Sequence, residues 1–399
     1  MTTAVSMYEK LSLFQNRVRD GHAPFLSKGD LSAYALAGIS TDHECVTYEY
    51  AMEECRNGMQ VLIREGSAAR NLDAIVKGIV EHHTDTESFC FCTDDKHIEE
   101  IRKDGHINYN VKRAVSLGLS LPAALKMATI QAARCYGLKN IGAIAPGYQA
   151  DFVVLDNEKD LNVVDVYYKG ERIVPDEKPE IKPCPPVLKN TVHLARVQER
   201  DFRLLHTGEK AHVIVMEEGQ ITTKDSYEEV PWKEENGEKI FVPDSAYQKI
   251  AVLERHKNTG KIGVGIIKGF HLSGGAIASS VSHDSHNMIV IGDNDRDMLL
   301  AVQELVHTQG GYTLVENGKV YRTLPLPVMG LMSDAGYEKV NEALKDMIPK
   351  AHEMGIPAGF DPFITLSFMA LPVIPEIRIT PRGIYLVKED RMLRGPFEN

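Results

Sequence analysis

Three short polar strings, each directly after an apolar run, constrain the fold of this chain most. They are Asp20-Gly21-His22-Ala23-Pro24, Ser40-Thr41-Asp42-His43-Glu44 and Phe91-Cys92-Thr93-Asp94-Asp95. One strand-helix-strand unit separates the first string from the second, and about two more precede the third, at the ~20 to 30 residue repeat of βα units. The spacing therefore predicts parallel strands whose carboxyl ends carry these side chains at one edge.

The segments between these strings support the same interpretation. Turn residues and apolar periodicity predict four strand-helix units before residue 93, against the eight of a closed barrel. The helix over residues 71–82, for example, has apolar side chains at positions 72, 75, 76, 79 and 80, close to the i, i+3, i+4, i+7 pattern. The pattern predicts the fold class α/β, with part of a (β/α)8 barrel, a small β-sheet module and a separate C-terminal α/β domain.

Four segments follow from this pattern. Residues 1–135 are predicted to contain the barrel units and to end in an alanine-rich helix over 121–134, and residues 136–175 are predicted to be the small β-sheet segment. Five prolines between Pro175 and Pro186 remove backbone donors and fix φ, so that residues 176–192 are predicted to be a linker. Residues 193–399 then alternate strands and helices as the C-terminal α/β domain.

The composition excludes several classes of partner. A net charge of −11 over 399 residues argues against nucleic acid or an anionic membrane, because both require a clustered positive surface. No apolar stretch approaches the ~18 residues of a membrane span, and the first residues lack a signal-peptide pattern, which predicts a cytoplasmic protein. The six cysteines have neither disulfide density nor paired zinc spacing, so reduced thiols and a small-molecule substrate are expected.

His22, His43 and Asp94 are the candidate metal ligands. Imidazole and carboxylate are the ligands that a catalytic divalent metal uses, and such a metal lowers the pKa of a bound water to ~7. Either histidine alone is more often a surface or core residue, but both at successive strand ends favour a metal site. Asp94 is also the candidate catalytic proton shuttle, and the adjacent Asp95 remains an alternative for that role.

The same strings, together with the run from Gly142 to Asp156, resemble the amidohydrolase superfamily and, within it, the adenine deaminases of bacteria. The resemblance continues through four segments of the C-terminal half: residues 255–257, 274–287, 324–334 and 366–375. It implies hydrolysis of adenine to hypoxanthine and ammonia, with Mn²⁺ or Fe²⁺ in a binuclear site. It also implies that His22, His43 and Asp94 come from the fifth, sixth and eighth barrel strands. The expected fold is then the C-terminal half of a metal-dependent (β/α)8 barrel over residues 1–135, a β-sandwich segment over residues 136–175, and the C-terminal α/β domain.

Four further residues are weaker candidates for substrate binding. His283, Asp284 and His286 form the densest polar cluster of the C-terminal domain and could contact the purine or a metal-bound water, or simply form a turn. Glu65 follows the third strand and could bind substrate or belong to a helix start beside Ser67.

The chain also departs from the family pattern. The family has a His-x-His pair on its first strand and a bridging carboxylate on its fourth, and these 399 residues contain no His-x-His. The resemblance therefore implies that the N-terminal half of the barrel is missing, and that the chain forms a homo-oligomer or needs that half from a partner. The alternatives are another amidohydrolase acting on a cyclic amide or amine, and a non-catalytic interaction fragment.

Overall fold

The structure, a computed structural model, describes residues 5–67, 69–174, 183–217 and 222–398. The chain divides into two compact units, residues 1–180 and 181–399. The predicted proline-rich linker falls partly on residues 175–182, which lie outside the described residues.

The first unit contains eight helices and seven strands among its described residues. The helices are α1 (Val5–Leu13), α2 (Lys28–Leu36), α3 (Tyr48–Arg56), α4 (Leu72–Glu81), α5 (Ile98–Asp104), α6 (Ile107–Ser116), α7 (Leu121–Ala128) and α8 (Ile130–Cys135). The strands are β1 (Asp20–Gly21), β2 (Thr41–Asp42), β3 (Gln60–Arg64), β4 (Phe89–Cys92), β5 (Phe152–Leu155), β6 (Val163–Tyr168) and β7 (Glu171–Arg172).

Strands β1 to β4 form a parallel sheet in chain order. Helix α4 packs its apolar stripe against this sheet, with Ile75, Val76 and Ile79 buried beside Val61 and Ile63 of β3. Strands buried on both faces by helices are typical of βα units. The carboxyl ends of the four strands therefore lie along one edge, as their spacing predicts.

The prediction of a single helix over residues 121–134 is wrong in one respect, because the structure has two helices there, α7 and α8. Thr129 lies at the break with φ −131° and ψ −94°, and its hydroxyl donates to the carbonyl of Leu125 at 2.6 Å. A β-branched residue that bonds back to the preceding turn is a weak point in an otherwise alanine-rich helix.

Strands β5 to β7 form a separate antiparallel sheet. The turn between β6 and β7 uses Lys169 and Gly170, both with positive φ. Valines 153, 154, 163, 164 and 166 of this sheet are exposed.

The second unit contains thirteen strands and three α-helices among its described residues. The strands are β8 (Ala211–Met216), β9 (Thr223–Glu228), β10 (Trp232–Glu235), β11 (Glu238–Phe241), β12 (Tyr247–Leu253), β13 (Ile262–Lys268), β14 (Gly275–Ser279), β15 (Met288–Gly292), β16 (Gly311–Glu316), β17 (Lys319–Pro325), β18 (Ile377–Thr380), β19 (Gly383–Leu386) and β20 (Arg391–Leu393). The helices are α9 (Asp295–His307), α10 (Tyr337–Glu353) and α11 (Pro362–Phe368).

An eight-stranded sheet, in the order β17-β16-β14-β15-β12-β13-β8-β9, forms the centre of this unit. Successive residues of β12 alternate between its two faces: Ile250 and Val252 belong to one core with α10 and α11, and Ala251 and Leu253 belong to another with α9. The observed strands and helices thus establish a mixed α/β class. Within the described ranges, no helix is both long and apolar enough to cross a membrane.

The hairpin between β12 and β13 depends on one carboxylate. Glu254 accepts hydrogen bonds from the backbone N–H groups of His256 at 2.6 Å and Lys257 at 2.9 Å, and from both the N–H and the hydroxyl of Thr259. Partial burial works to raise the pKa of Glu254, but these donors lower it to about 2. A carboxylate with a lowered pKa stabilises the folded state only while it is ionised.

We therefore expect Glu254→Gln to lower the free energy of unfolding by about 1 kcal/mol at neutral pH, after allowance for solvent screening. The difference from the unchanged protein should persist above the ordinary pKa of 4.5 and disappear as the pH falls towards 2. Urea unfolding at a series of pH values measures it. If the two proteins still differ equally in their free energy of unfolding near pH 2, the negative charge of Glu254 does not stabilise the hairpin.

Candidate metal centre

His22 and His43 follow the ends of β1 and β2, and the structure brings their side chains together. Their ring centroids lie 4.5 Å apart. Glu44 completes the group, because its Oε1 lies 3.2 Å from Nδ1 of His22 and 3.5 Å from Nε2 of His43. The three residues offer ligand atoms that all lie within 4.8 Å of one another. Two imidazoles and a carboxylate around one point form a donor set suited to a divalent metal.

Asp20 orients the imidazole of His43. Its Oδ2 lies 3.2 Å from Nδ1 of His43, and its Oδ1 accepts the hydroxyl of Thr41 at 2.5 Å. Burial works to raise the pKa of Asp20, but the hydrogen bonds from His43 and Thr41 lower it overall. A carboxylate on one ring nitrogen fixes the tautomer and leaves the other nitrogen, Nε2, as a ligand.

Asp42 holds the backbone on both sides of the two histidines. Its side chain is fully buried and accepts the N–H groups of Ala23 at 2.7 Å, Glu44 at 2.7 Å and Cys45 at 3.1 Å. The first donor follows His22, and the other two follow His43. One carboxylate therefore fixes the spacing of the two loops that carry the imidazoles.

Two tyrosines also support the His22 loop. The hydroxyl of Tyr34 accepts the N–H of His22 at 3.0 Å, and the hydroxyl of Tyr50 donates to the carbonyl of Ala23 at 2.5 Å while accepting the N–H of Leu26 at 3.0 Å. The backbone of this loop is consequently held by side chains from α2 and α3.

Arg64, at the end of β3, links Glu44 to Asp94. Its Nη1 donates to Glu44 at 3.0 Å and to Asp94 at 2.7 Å, and its Nη2 donates to Glu44 at 3.2 Å. Burial works to raise the pKa of Glu44, but the hydrogen bond from His22 and the charges of Arg64 and His43 lower it to about 2. Conversely, the hydrogen bond to Glu44 raises the pKa of His22, against the opposing effect of burial.

Asp94 lies on the far side of Arg64 from Glu44, outside the group that contains the two histidines. Its carboxylate contacts Arg64 and does not belong to the ligand group formed by His22, His43 and Glu44. Asp95 faces a different neighbour, since one of its carboxylate oxygens lies against Gly66. The prediction of Asp94 as a ligand stays a prediction, and the geometry places it one guanidinium away from the group.

Glu65 directly follows the carboxyl end of β3 and is only 6% exposed. Burial raises the pKa of this carboxyl, and the guanidinium of Arg70, 3.7 Å away, partly opposes the effect. The adjoining helix α4 has Asn71 as its N-cap. Glu65 is thus a buried acid near the candidate centre rather than the capping residue of a helix.

His283, Asp284 and His286 lie in the second unit, in the loop between β14 and β15. The ring of His283 stacks on Phe368 with centroids 4.9 Å apart, and the side chain of Asp284 is 83% exposed. Burial lowers the pKa of His286. The loop places two imidazoles and a carboxylate at a partly open surface of this unit.

The buried side chain of Arg255 donates hydrogen bonds to backbone carbonyls of that loop. Its Nε donates to the carbonyl of His286 at 2.5 Å, and its Nη2 donates to those of Met329 at 3.2 Å and Ser280 at 3.4 Å. The guanidinium of Arg255 therefore ties the loop between β14 and β15 to the segment that follows β17.

Both units match families of known proteins. Residues 7–173 match the amidohydrolase family, and residues 220–391 match the adenine deaminase C-terminal domain. An adenine deaminase of Desulfitobacterium hafniense is 55% identical over 388 residues, which cover 97% of this chain and 68% of that protein. The chain belongs to the adenine deaminase family. A second adenine deaminase, from Clostridium acetobutylicum, is 43% identical over 96% of this chain and 68% of its own length.

Comparison with solved structures gives weaker likenesses to amidohydrolases. A β-aspartyl dipeptidase of Fervidobacterium islandicum covers 46% of this chain and 63% of its own, with a TM-score of 0.31 and 18% identity. Membership of the adenine deaminase family therefore rests on sequence, and the chain spans about two thirds of the length of the first two curated relatives.

The sequence did not predict the roles of three residues in this centre: Asp20, Glu44 and Arg64. Asp20 and Glu44 stand inside the two histidine strings, so their position directly beside strand ends was an available signal. Arg64 closes an apolar strand run, and a buried guanidinium there is unusual unless acids surround it. The donor set fits a metal, and amidohydrolases generally depend on one.

We expect Asp20→Ala to weaken metal binding by 10- to 100-fold, because the carboxylate that orients a histidine ligand is lost. Isothermal titration of the metal-free protein with Mn²⁺ measures the change. Asp30→Ala is the matched control, since Asp30 is an exposed acid in the first turn of α2. Equal affinity in both variants would contradict the assigned role of Asp20.

Proposed function

We propose that this chain carries metal-binding and substrate-contacting parts of an enzyme that hydrolyses adenine to hypoxanthine and ammonia. The observation that carries the proposal is the convergence of His22, His43 and Glu44 at adjacent strand ends, in a chain that aligns with adenine deaminases over nearly its whole length. A divalent metal bound there would make hydroxide available at neutral pH. Mn²⁺ and Fe²⁺ suit such a mixed imidazole and carboxylate set.

In the reaction, the carbon of adenine that bears the amino group gains a bond to the oxygen of water and loses its bond to nitrogen. One proton of the water must reach the departing amino group so that it leaves as ammonia. Asp94 is the residue we assign to this transfer, because its carboxylate is 42% exposed and lies within 2.7 Å of Arg64. Arg64 lies between Asp94 and Glu44 and donates hydrogen bonds to both.

We further propose that β1 to β4 are the second half of a (β/α)8 barrel. Their parallel order and the placement of the candidate ligands at one edge support this. The remaining ligands of a binuclear site would come from a partner polypeptide equivalent to the rest of the relatives' length. The exposed valines of β5 and β6 are the surface such a polypeptide would cover.

In the second unit, the proposal assigns the loop of His283, Asp284 and His286 to contact with the purine. Imidazole nitrogens can donate to or accept from the ring nitrogens of a purine, and Arg255 holds the loop that presents them. Glu65 is a second, weaker candidate for such a contact.

The direct test is metal content together with ammonia release from adenine. We expect the chain to bind Mn²⁺ or Fe²⁺, and His22→Ala and His43→Ala each to lower the affinity by at least tenfold. Little ammonia should be released by the chain alone, with release rising when the third of the Desulfitobacterium relative that this chain does not match is co-expressed. His82→Ala, on a histidine outside the group, is the control. Turnover of a cyclic amide instead of adenine would favour another amidohydrolase, and an inert metal-free chain would favour an interaction fragment.

The assignment of the second-unit loop has its own test. In the reconstituted enzyme, His283→Ala should raise the KM for adenine by tenfold or more, while the Mn²⁺ affinity of the protein stays unchanged. His271→Ala, on an exposed histidine of the same unit, is the matched control. Unchanged kinetics in His283→Ala would remove this loop from the active site.

A further inference from the structure

A second group of polar side chains lies beneath the candidate metal centre. Asp42, Cys45 and Glu54 are all buried, and their polar side-chain atoms lie within 4.8 Å of one another. Glu54 comes from α3, near its C-terminal end, and Asp42 comes from β2. Helix α3 therefore directs an acid at the same carboxylate that holds the two histidine loops.

The three groups differ in how fully they are bonded. Asp42 accepts three backbone N–H groups, whereas no backbone N–H group donates to the buried carboxylate oxygens of Glu54 among the described residues. The thiol of Cys45 is the neighbouring side-chain donor that acts on Glu54. No lysine or arginine acts on Glu54, and the charge that acts on it most is that of Asp42. Two ionised carboxylates in such a site would repel each other and lack solvation.

We infer that Glu54 is a neutral carboxylic acid whose hydroxyl donates to the carboxylate of Asp42, and that it acts as a positioning residue for the His22 and His43 loops. One proton between the two acids removes the repulsion and gives Glu54 its hydrogen-bond partner. The same arrangement lets the thiol of Cys45 donate to Glu54, so that each polar group in the cluster is bonded.

The surroundings of Glu54 support this assignment. Burial, together with the charge of Asp42, raises the pKa of Glu54 to about 9. The side chain of Cys45 is fully buried, and its sulfur lies within 4.8 Å of the carboxylates of Asp42 and Glu54. A metal ion in this second group would need a thiolate and two carboxylates, and Asp42 already uses both oxygens on backbone donors.

The functional meaning of this pair rests on the proposed metal site. Glu54 fixes the carboxylate of Asp42, Asp42 fixes the N–H groups that flank His22 and His43, and these loops fix the imidazoles. Glu54 is itself remote from substrate, so its effect on the metal should depend on whether a donor to Asp42 is present rather than on its negative charge.

Three variants separate these possibilities. Glu54→Gln keeps a donor, Glu54→Met keeps a similar volume without one, and Glu49→Gln makes the first change at an exposed position of the same helix. We expect Glu54→Gln and Glu49→Gln to bind Mn²⁺ within about threefold of the unchanged protein. Glu54→Met should bind 10- to 100-fold more weakly. Circular dichroism of the metal-free proteins confirms which of them fold.

Infrared difference spectroscopy of the metal-free protein tests the proton directly. The unchanged protein should show the carbonyl stretch of a buried carboxylic acid at neutral pH, and this band should be absent in Glu54→Gln and present in Glu49→Gln. A missing band, or a Glu54→Met variant that binds Mn²⁺ normally, would overturn the inference. Binding of a second Mn²⁺ that Glu54→Gln abolishes would also overturn it. If His22→Ala leaves Mn²⁺ binding intact while the band is present, the metal assignment fails and the carboxyl pair stands.

Discussion

The carboxylate of Asp42 is the constraint on which the candidate centre depends. Strands β1 and β2 pair over only two residues each, so the sheet alone fixes little beyond their ends. His22 and His43 lie past those ends, where ladder hydrogen bonds have stopped. The three N–H groups that Asp42 accepts replace them, and they tie the loop after β1 to the loop after β2. A buried acceptor of this kind is costly to desolvate, and three good donors are what offset the cost.

The centre is thus built in layers around two short strands. Glu44 and the imidazoles face outwards, Asp20 and Arg64 orient and neutralise them, and Asp42 holds the backbone beneath. Glu44 interacts with both histidines and with Arg64, so its charge is balanced before any metal binds. Such contacts preorganise the ligands, because the carboxylate of Glu44 is already held in place by hydrogen-bonding partners.

The sequence predicted the strand ends well, because an apolar run closed by a polar residue is a local signal. It placed His22 and His43 together and located α4 and α9 to within a residue or two. Contacts between distant side chains are not local signals, so Arg64 looked like the last residue of a strand although it separates Glu44 from Asp94. The hydrogen bond between Arg64 and Asp94 is likewise a contact between distant residues, and Asp94 as a ligand stays a prediction. Strands β9 to β11 were missed because their residues are largely polar and carry little apolar periodicity.

Both units use one buried charged group to fix loops at strand ends, with opposite sign. In the first unit the anion of Asp42 collects backbone N–H groups, and in the second the cation of Arg255 collects the carbonyls of Ser280, His286 and Met329. Burial lowers the pKa of Arg255 to about 10, which still leaves it charged at neutral pH. A charged donor or acceptor makes stronger hydrogen bonds than a neutral one. The loops that carry the candidate ligands and substrate contacts are therefore held by charge-assisted hydrogen bonds to their backbone groups. The side chains of these loops stay available for chemistry.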